Sequence, residues 1–169
     1  MTLKDMLSQE AVTCTLQAKN KEEALEKLTK LLAKNGCVSD RQLVLAELKN
    51  REERASTAIS GGVALPHCSS SGVTKPCMAF AVCQEGLDFG AVGGELTRIF
   101  ALALSPETKG SEYLNTVVAL IDKLRIRSIR EKILACRTDG ELYDRLMCYN
   151  NTKVDMDQVR RVLAELIER

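Results

Sequence analysis

The sequence has a single histidine, three prolines and no excess of charge of either sign: 24 Lys and Arg stand against 23 Asp and Glu, a net charge of +1. So balanced a chain carries no footprint for the phosphates of a duplex, and no nucleic-acid partner is expected. No apolar run is long enough to cross a bilayer. The opening stretch MTLKDMLSQEAV is interrupted by acids and polar residues every few positions. Neither a signal peptide nor direct membrane insertion is therefore expected, and the reading places the protein in the cytoplasm. The seven cysteines are odd in number and scattered among apolar neighbours, as in Ala81-Val82-Cys83. That argues against a disulfide framework and for buried, reduced thiols. Neither a P-loop nor a dinucleotide-binding glycine pattern occurs, and no CxxC pair or second histidine is available to complete a zinc site. No cofactor and no metal are expected.

What is present belongs to a globular domain: 45% hydrophobic and 28% charged residues over 169 positions, with no repeat or Pro/Gly-rich linker. A short helix opens the chain, and residues 12–16 read as a strand. Asn20, with Glu23 three positions on, caps a helix whose Ala24, Leu25, Leu28, Leu31 and Leu32 form one stripe, and Asn35-Gly36 ends it. A second signature, Ser39 to Gln42, opens a helix carrying Leu43, Val44, Ala46 and Leu48 that runs into Arg51-Glu52-Glu53-Arg54.

Residues 55–72 are small, hydroxylated and glycine-rich and read as loop, whereas 77–84 and 97–105 are compact apolar runs typical of buried strands. Helical periodicity returns from Ser111, at 129–136, and in a stretch capped by Thr138 with Glu141. Strands interleaved with helices enough for both faces of one sheet predict an α/β fold: a three-layer α/β/α sandwich with a mixed sheet. The division expected is one domain over residues 1–150 and a helical tail over 151–169. The tail places Val159, Val162, Leu163, Leu166 and Ile167 on one face, with Asp155 as its cap, and is expected to dock on its own domain.

The chemistry-bearing candidate is His67, which follows Pro66 inside the glycine- and serine-rich segment, where a side chain is displayed at a surface rather than packed. A neutral imidazole can attack phosphorus through one ring nitrogen and later release the group as a labile phosphoramidate. Such a relay needs donors for the phosphoryl oxygens. Ser56 and Thr57 offer hydroxyls, Gly61 and Gly62 let backbone N–H groups approach an anion, and Arg51 offers a guanidinium fork that Glu52 can hold in place.

The segment Arg51-Glu52, then Ser56-Thr57, then Ile59-Ser60-Gly61-Gly62-Val63-Ala64-Leu65-Pro66-His67 resembles the active-site signature of the phosphotransferase system (PTS) enzyme IIA family of the fructose, mannitol and nitrogen-regulatory type. The resemblance extends over about residues 1–148, including Asn20-Lys21-Glu22-Glu23 and the stretch Ile99-Phe100-Ala101-Leu102-Ala103-Leu104 followed by Ser105-Pro106. It implies that His67 accepts a phosphoryl group from the phosphocarrier HPr or a nitrogen-branch HPr-like protein. It also implies delivery to a cysteine of a IIB domain, or use as a signal to a regulatory protein target. The text around Glu141-Leu142-Tyr143 looks more like the nitrogen-regulatory branch.

Two departures stand out. Family members usually carry a second histidine on the helix after the last strand, where this sequence places Tyr113, a possible substitute helper able to donate a hydrogen bond to a phosphoryl oxygen. The residue after the histidine is Cys68 and the residue after Ser-Thr is Ala58, where glycine is usual. The alternative reading is a non-catalytic regulatory module that controls a kinase or transporter by phosphorylation-dependent contact.

Overall fold

In the computed structural model the described residues are 1–109 and 112–150, together with Asp157, Arg160, Arg161 and Ala164. The apolar stripe of the tail helix expected beyond residue 150 lies outside them.

The core is a hairpin of two long strands, β5 (Cys77–Leu87) and β6 (Thr97–Ser105), paired antiparallel. Their near-continuous apolar runs are explained by burial on both faces. Met78, Phe80, Val82, Ile99, Ala101 and Ala103 face one helical layer, made by α1 (Leu3–Met6), α4 (Glu112–Leu124), α5 (Arg127–Leu134) and α6 (Asp139–Met147). The intervening Cys77, Ala79, Ala81, Cys83, Phe100, Leu102 and Leu104 face the other, made by α2 (Lys21–Ala33) and α3 (Arg41–Arg54). The period of two thus sorts the core into two slabs and gives the three-layer sandwich. Phe80, Phe89 and Phe100 are among its largest fully buried side chains, each stabilising the fold by roughly 2–3 kcal/mol through removal from water.

Strand β1 (Leu7–Thr13) pairs parallel with β5 at one edge of the sheet. It begins earlier than the 12–16 expected, because an edge strand tolerates the exposed Gln9 and Glu10 that obscure its pattern. At the other side, β2 (Ala58–Ile59) runs antiparallel to β3 (Val63–Ala64), and β3 and β4 (His67–Ser69) both run parallel to β6. The sheet is therefore mixed, in the order β1-β5-β6-β3-β2 with β4 also on β6.

Helix starts follow the capping chemistry. The Glu23 N–H donates to Asn20 Oδ1 at 2.9 Å and the Glu141 N–H to Thr138 Oγ1 at 3.1 Å. At α3 the cap is Asp40 rather than Ser39: Asp40 Oδ1 accepts from the Leu43 N–H at 3.1 Å, while the Ser39 hydroxyl donates to the Gly72 carbonyl at 3.2 Å. No disulfide joins the cysteines; five are buried, Cys68 is half-buried and Cys148 is exposed.

Candidate functional site

The segment expected to be an exposed loop is instead a run of short strands laid along β6. Val63 is in register with Ile99 and His67 with Ala103, so the chain between them stays extended against its neighbour. Pro66 suits that conformation: it lacks an N–H, but its carbonyl accepts from the Ala103 N–H at 3.0 Å. His67 is consequently half-buried at the start of β4, not displayed on a mobile loop.

The ring is fixed by its own backbone. His67 Nδ1 lies 2.9 Å from the Leu65 carbonyl oxygen. A carbonyl only accepts, so Nδ1 carries the proton and Nε2 keeps the free lone pair. Burial, foremost, holds the imidazole pKa below its ordinary 6.5; the Leu65 carbonyl opposes that shift, the Arg51 guanidinium adds to it and the Glu52 carboxylate opposes it. At neutral pH the ring is neutral, with one nucleophilic nitrogen.

Arg51 and Glu52 come from the last turn of α3, which ends beside β4. Arg51 Nη1 donates to the Ala55 carbonyl at 2.8 Å, tethering the guanidinium to the helix end. Adjacent helical side chains diverge, and the bonds described for Glu52 lead away from Arg51. The buried Glu52 carboxylate accepts from the Thr57 hydroxyl and, at 3.1 Å, from the Thr57 N–H, and pairs with Lys21 Nζ at 3.0 Å.

In this arrangement both hydroxyls expected as phosphoryl donors are already engaged. The Thr57 hydroxyl is spent on Glu52, and the Ser56 hydroxyl donates at 2.5 Å to the Phe89 carbonyl. Both instead lock the strand leading to the histidine. Gly61 and Gly62 are also misplaced for that role. At φ of +96° and +75° they form the turn between β2 and β3. That turn precedes Val63, which itself lies four residues from His67 along β6 (Ile99 to Ala103), about 13 Å away at ~3.3 Å per residue. The Gly61 N–H donates to Glu95 Oε2 at 3.1 Å, and a Cβ there would meet the Arg130 guanidinium at 2.8 Å. These glycines are demanded by the turn.

Tyr113, near the start of α4, is buried, with the side chain of Ser69 close enough to act on its hydroxyl; Ser69 stands two residues past His67 and so on the same face of β4. Burial, foremost, raises its pKa, keeping the phenol protonated as a donor. Cys68 points the other way, into the α2–α3 layer, where burial and the Glu47 carboxylate push its thiol up to about 12. It is no nucleophile at neutral pH. Among the described residues no cluster of three His, Cys, Asp or Glu side chains could hold a metal ion, and no helix is long and apolar enough to cross a membrane.

Residues 5–147 match the family described as "Phosphoenolpyruvate-dependent sugar phosphotransferase system, EIIA 2". The chain belongs to this family. It is 34% identical over 124 residues to the "PTS system fructose-specific EIIA component" of Haloferax volcanii, covering 73% of this chain and 80% of that one. It is 25% identical over 144 residues to the "PTS system fructose-specific EIIABC component" of Bacillus subtilis, covering 85% of this chain but only 23% of that protein. Among solved structures, the nitrogen regulatory protein IIA-Ntr of Neisseria meningitidis superposes with a TM-score of 0.72 at 26% identity, covering 84% of this chain and 97% of that one. Within this EIIA 2 domain, sequence reasoning missed Lys21 and the Leu65 carbonyl. Lys21 was visible only as part of a helix start, and a backbone acceptor leaves no signal in residue identity.

Proposed function

We propose that the chain is a phosphocarrier in which His67 Nε2 takes a phosphoryl group from HPr or a nitrogen-branch HPr-like protein. The Nε2 lone pair attacks phosphorus as the bond from phosphorus to the donor's histidine breaks, and the donor nitrogen leaves with that electron pair. The observation that carries this reading is the ring's geometry: Nδ1–H anchored on Leu65 and Nε2 left as the sole nucleophilic nitrogen. The Leu65 carbonyl then stabilises the N–H of the phosphoimidazolium, and Arg51 offsets the phosphoryl charge. For onward transfer a thiolate of a IIB domain attacks the same phosphorus and His67 departs with its lone pair. All of this takes place in the cytoplasm.

The buried Tyr113, standing where the family usually has an imidazole, favours a second use of the same chemistry. In that reading phospho-His67 is held as a signal to a regulatory protein target and is not passed on. The test is incubation with phosphoenolpyruvate, enzyme I and HPr or its nitrogen-branch counterpart, reading intact mass. One phosphoryl group is expected on the wild type and none on His67→Ala. Uptake that survives His67→Ala, or no uptake from either donor, overturns the proposal.

A further inference from the structure

A carboxylate beside the chemistry is a problem for any phosphohistidine. Glu52 is buried, with a side chain only 2% exposed, and it lies close enough to His67 for its charge to act on the ring. When His67 gains a phosphoryl dianion, an uncompensated Glu52 repels it and cancels much of what Arg51 contributes. Arg51 and Glu52, both from the last turn of α3, act on the ring with opposite sign.

The remedy comes from a different element. Lys21, the first residue of α2, places Nζ 3.0 Å from Glu52 Oε2 and 4.7 Å from the centroid of the Phe89 ring. The aromatic face and the carboxylate together fix the ammonium. A cleft of about 290 Å³, lined by Lys21, Glu22, Leu25, Lys49, Glu52 and Glu53, opens beside the pair. Phe89 is doubly bound to the site, through this contact and through its carbonyl, which accepts from the Ser56 hydroxyl.

We propose that Lys21 is a positioning residue for phosphoryl transfer: by neutralising Glu52 it leaves Arg51 as the net charge that the phosphoryl group on His67 meets. Glu52 can then hold Thr57 through two hydrogen bonds without taxing the phosphorylated state. The charges that act on the ring are Arg51 and Glu52 from α3; Lys21 from α2 acts through Glu52, and Glu22, Lys49 and Glu53 line the same cleft.

This inference rests on the phosphocarrier reading, but its first test does not. His67 is the only histidine, so its Hε1 gives the one histidine Hε1 NMR signal to titrate in the unphosphorylated full chain. Lys21→Met is expected to raise the His67 pKa by about half a unit to one unit. Lys21→Arg should leave it near the wild-type value, and Lys21→Met with Glu52→Gln should return it there. In the HPr-coupled reaction, Lys21→Met should shift the phosphoryl equilibrium toward the donor roughly threefold to tenfold, with the double variant restored. An unchanged titration in Lys21→Met overturns the inference, as does a double variant displaced further than either single change, which would make Lys21 a packing residue. A titration as expected with no phosphorylation of any variant would instead remove the phosphocarrier reading and leave the charge coupling in place.

Discussion

Along β6, Ile99, Ala101 and Ala103 face one helical layer while Phe100, Leu102 and Leu104 face the other, and all six are fully buried. On residues 55–72, which include the strands lying directly against β6, Ala58, Ile59, Val63, Ala64 and Leu65 join the same core, but polar bonds add to the order. Thr57 is held by Glu52, Ser56 by the Phe89 carbonyl and His67 by the Leu65 carbonyl. One region is fixed by dispersion and exclusion of water, which depend on shape alone. The other adds hydrogen bonds and charge, which also set the protonation state and orientation of a reactive ring. A single sheet thus separates stability from chemistry by strand.

Exchanging one residue on each side tests that separation most severely. His67→Ala is expected to abolish phosphoryl uptake while changing stability by less than about 1 kcal/mol, because the ring is half-buried and, among the described residues, is hydrogen-bonded to a backbone carbonyl. Phe100→Ala, one strand away, removes a fully buried ring that packs edge-on against Phe89 at 5.3 Å between centroids. It should cost about 3–5 kcal/mol in denaturant unfolding. Yet at a temperature where the variant is folded, phosphoryl uptake per folded molecule should remain. If His67→Ala unfolds the protein, or Phe100→Ala abolishes uptake in folded material, the two regions are not separable.

Glu52 joins both sides and should show an intermediate effect. Glu52→Ala leaves the Thr57 hydroxyl and N–H buried without their acceptor and strands Lys21. A loss of about 2–4 kcal/mol is expected, together with slower phosphorylation. Glu52→Gln keeps an acceptor and should recover most of the stability. Equal losses in the two variants would show that charge, not hydrogen bonding to Thr57, is what Glu52 supplies to the fold.

The same contrast explains what the sequence discloses. The apolar runs at 77–84 and 97–105 announce buried strands because burial on both faces leaves no alternation to hide behind, and Asn20 and Thr138 announce helix starts because capping is local. The histidine and its motif are equally legible. The roles of Ser56, Thr57, Gly61 and Gly62 are not, since a hydroxyl or a glycine has the same letter whether it cradles an anion or closes a turn. Only three-dimensional placement shows Ser56 and Thr57 spent on Phe89 and Glu52, and the glycines beside Arg130 and Leu96. Lys21 escapes notice for a related reason: Glu52 is far from it in sequence, and a lysine in a first helical turn reads as surface.

The smallest effect is a pH dependence confined to His67. Its folded pKa lies below the ordinary 6.5, with burial the leading cause. Above 6.5 the ring is neutral in both folded and unfolded chains and contributes no pH dependence. As pH falls below 6.5 the unfolded chain takes up the proton first, so stability is lost progressively until the folded pKa is reached, and no further below it. Denaturant unfolding of wild type and His67→Gln should therefore coincide from pH 8 to 7, then diverge as pH falls toward 5, with the wild type losing more. The rate of phosphorylation by a given donor should stay level from pH 8 to below 6.5 for the same reason, because Nε2 keeps its lone pair there. A wild type that gains stability relative to His67→Gln as pH falls would mean that Glu52, not burial, governs the ring, and the charge of this strand would then belong to the fold as much as to the chemistry.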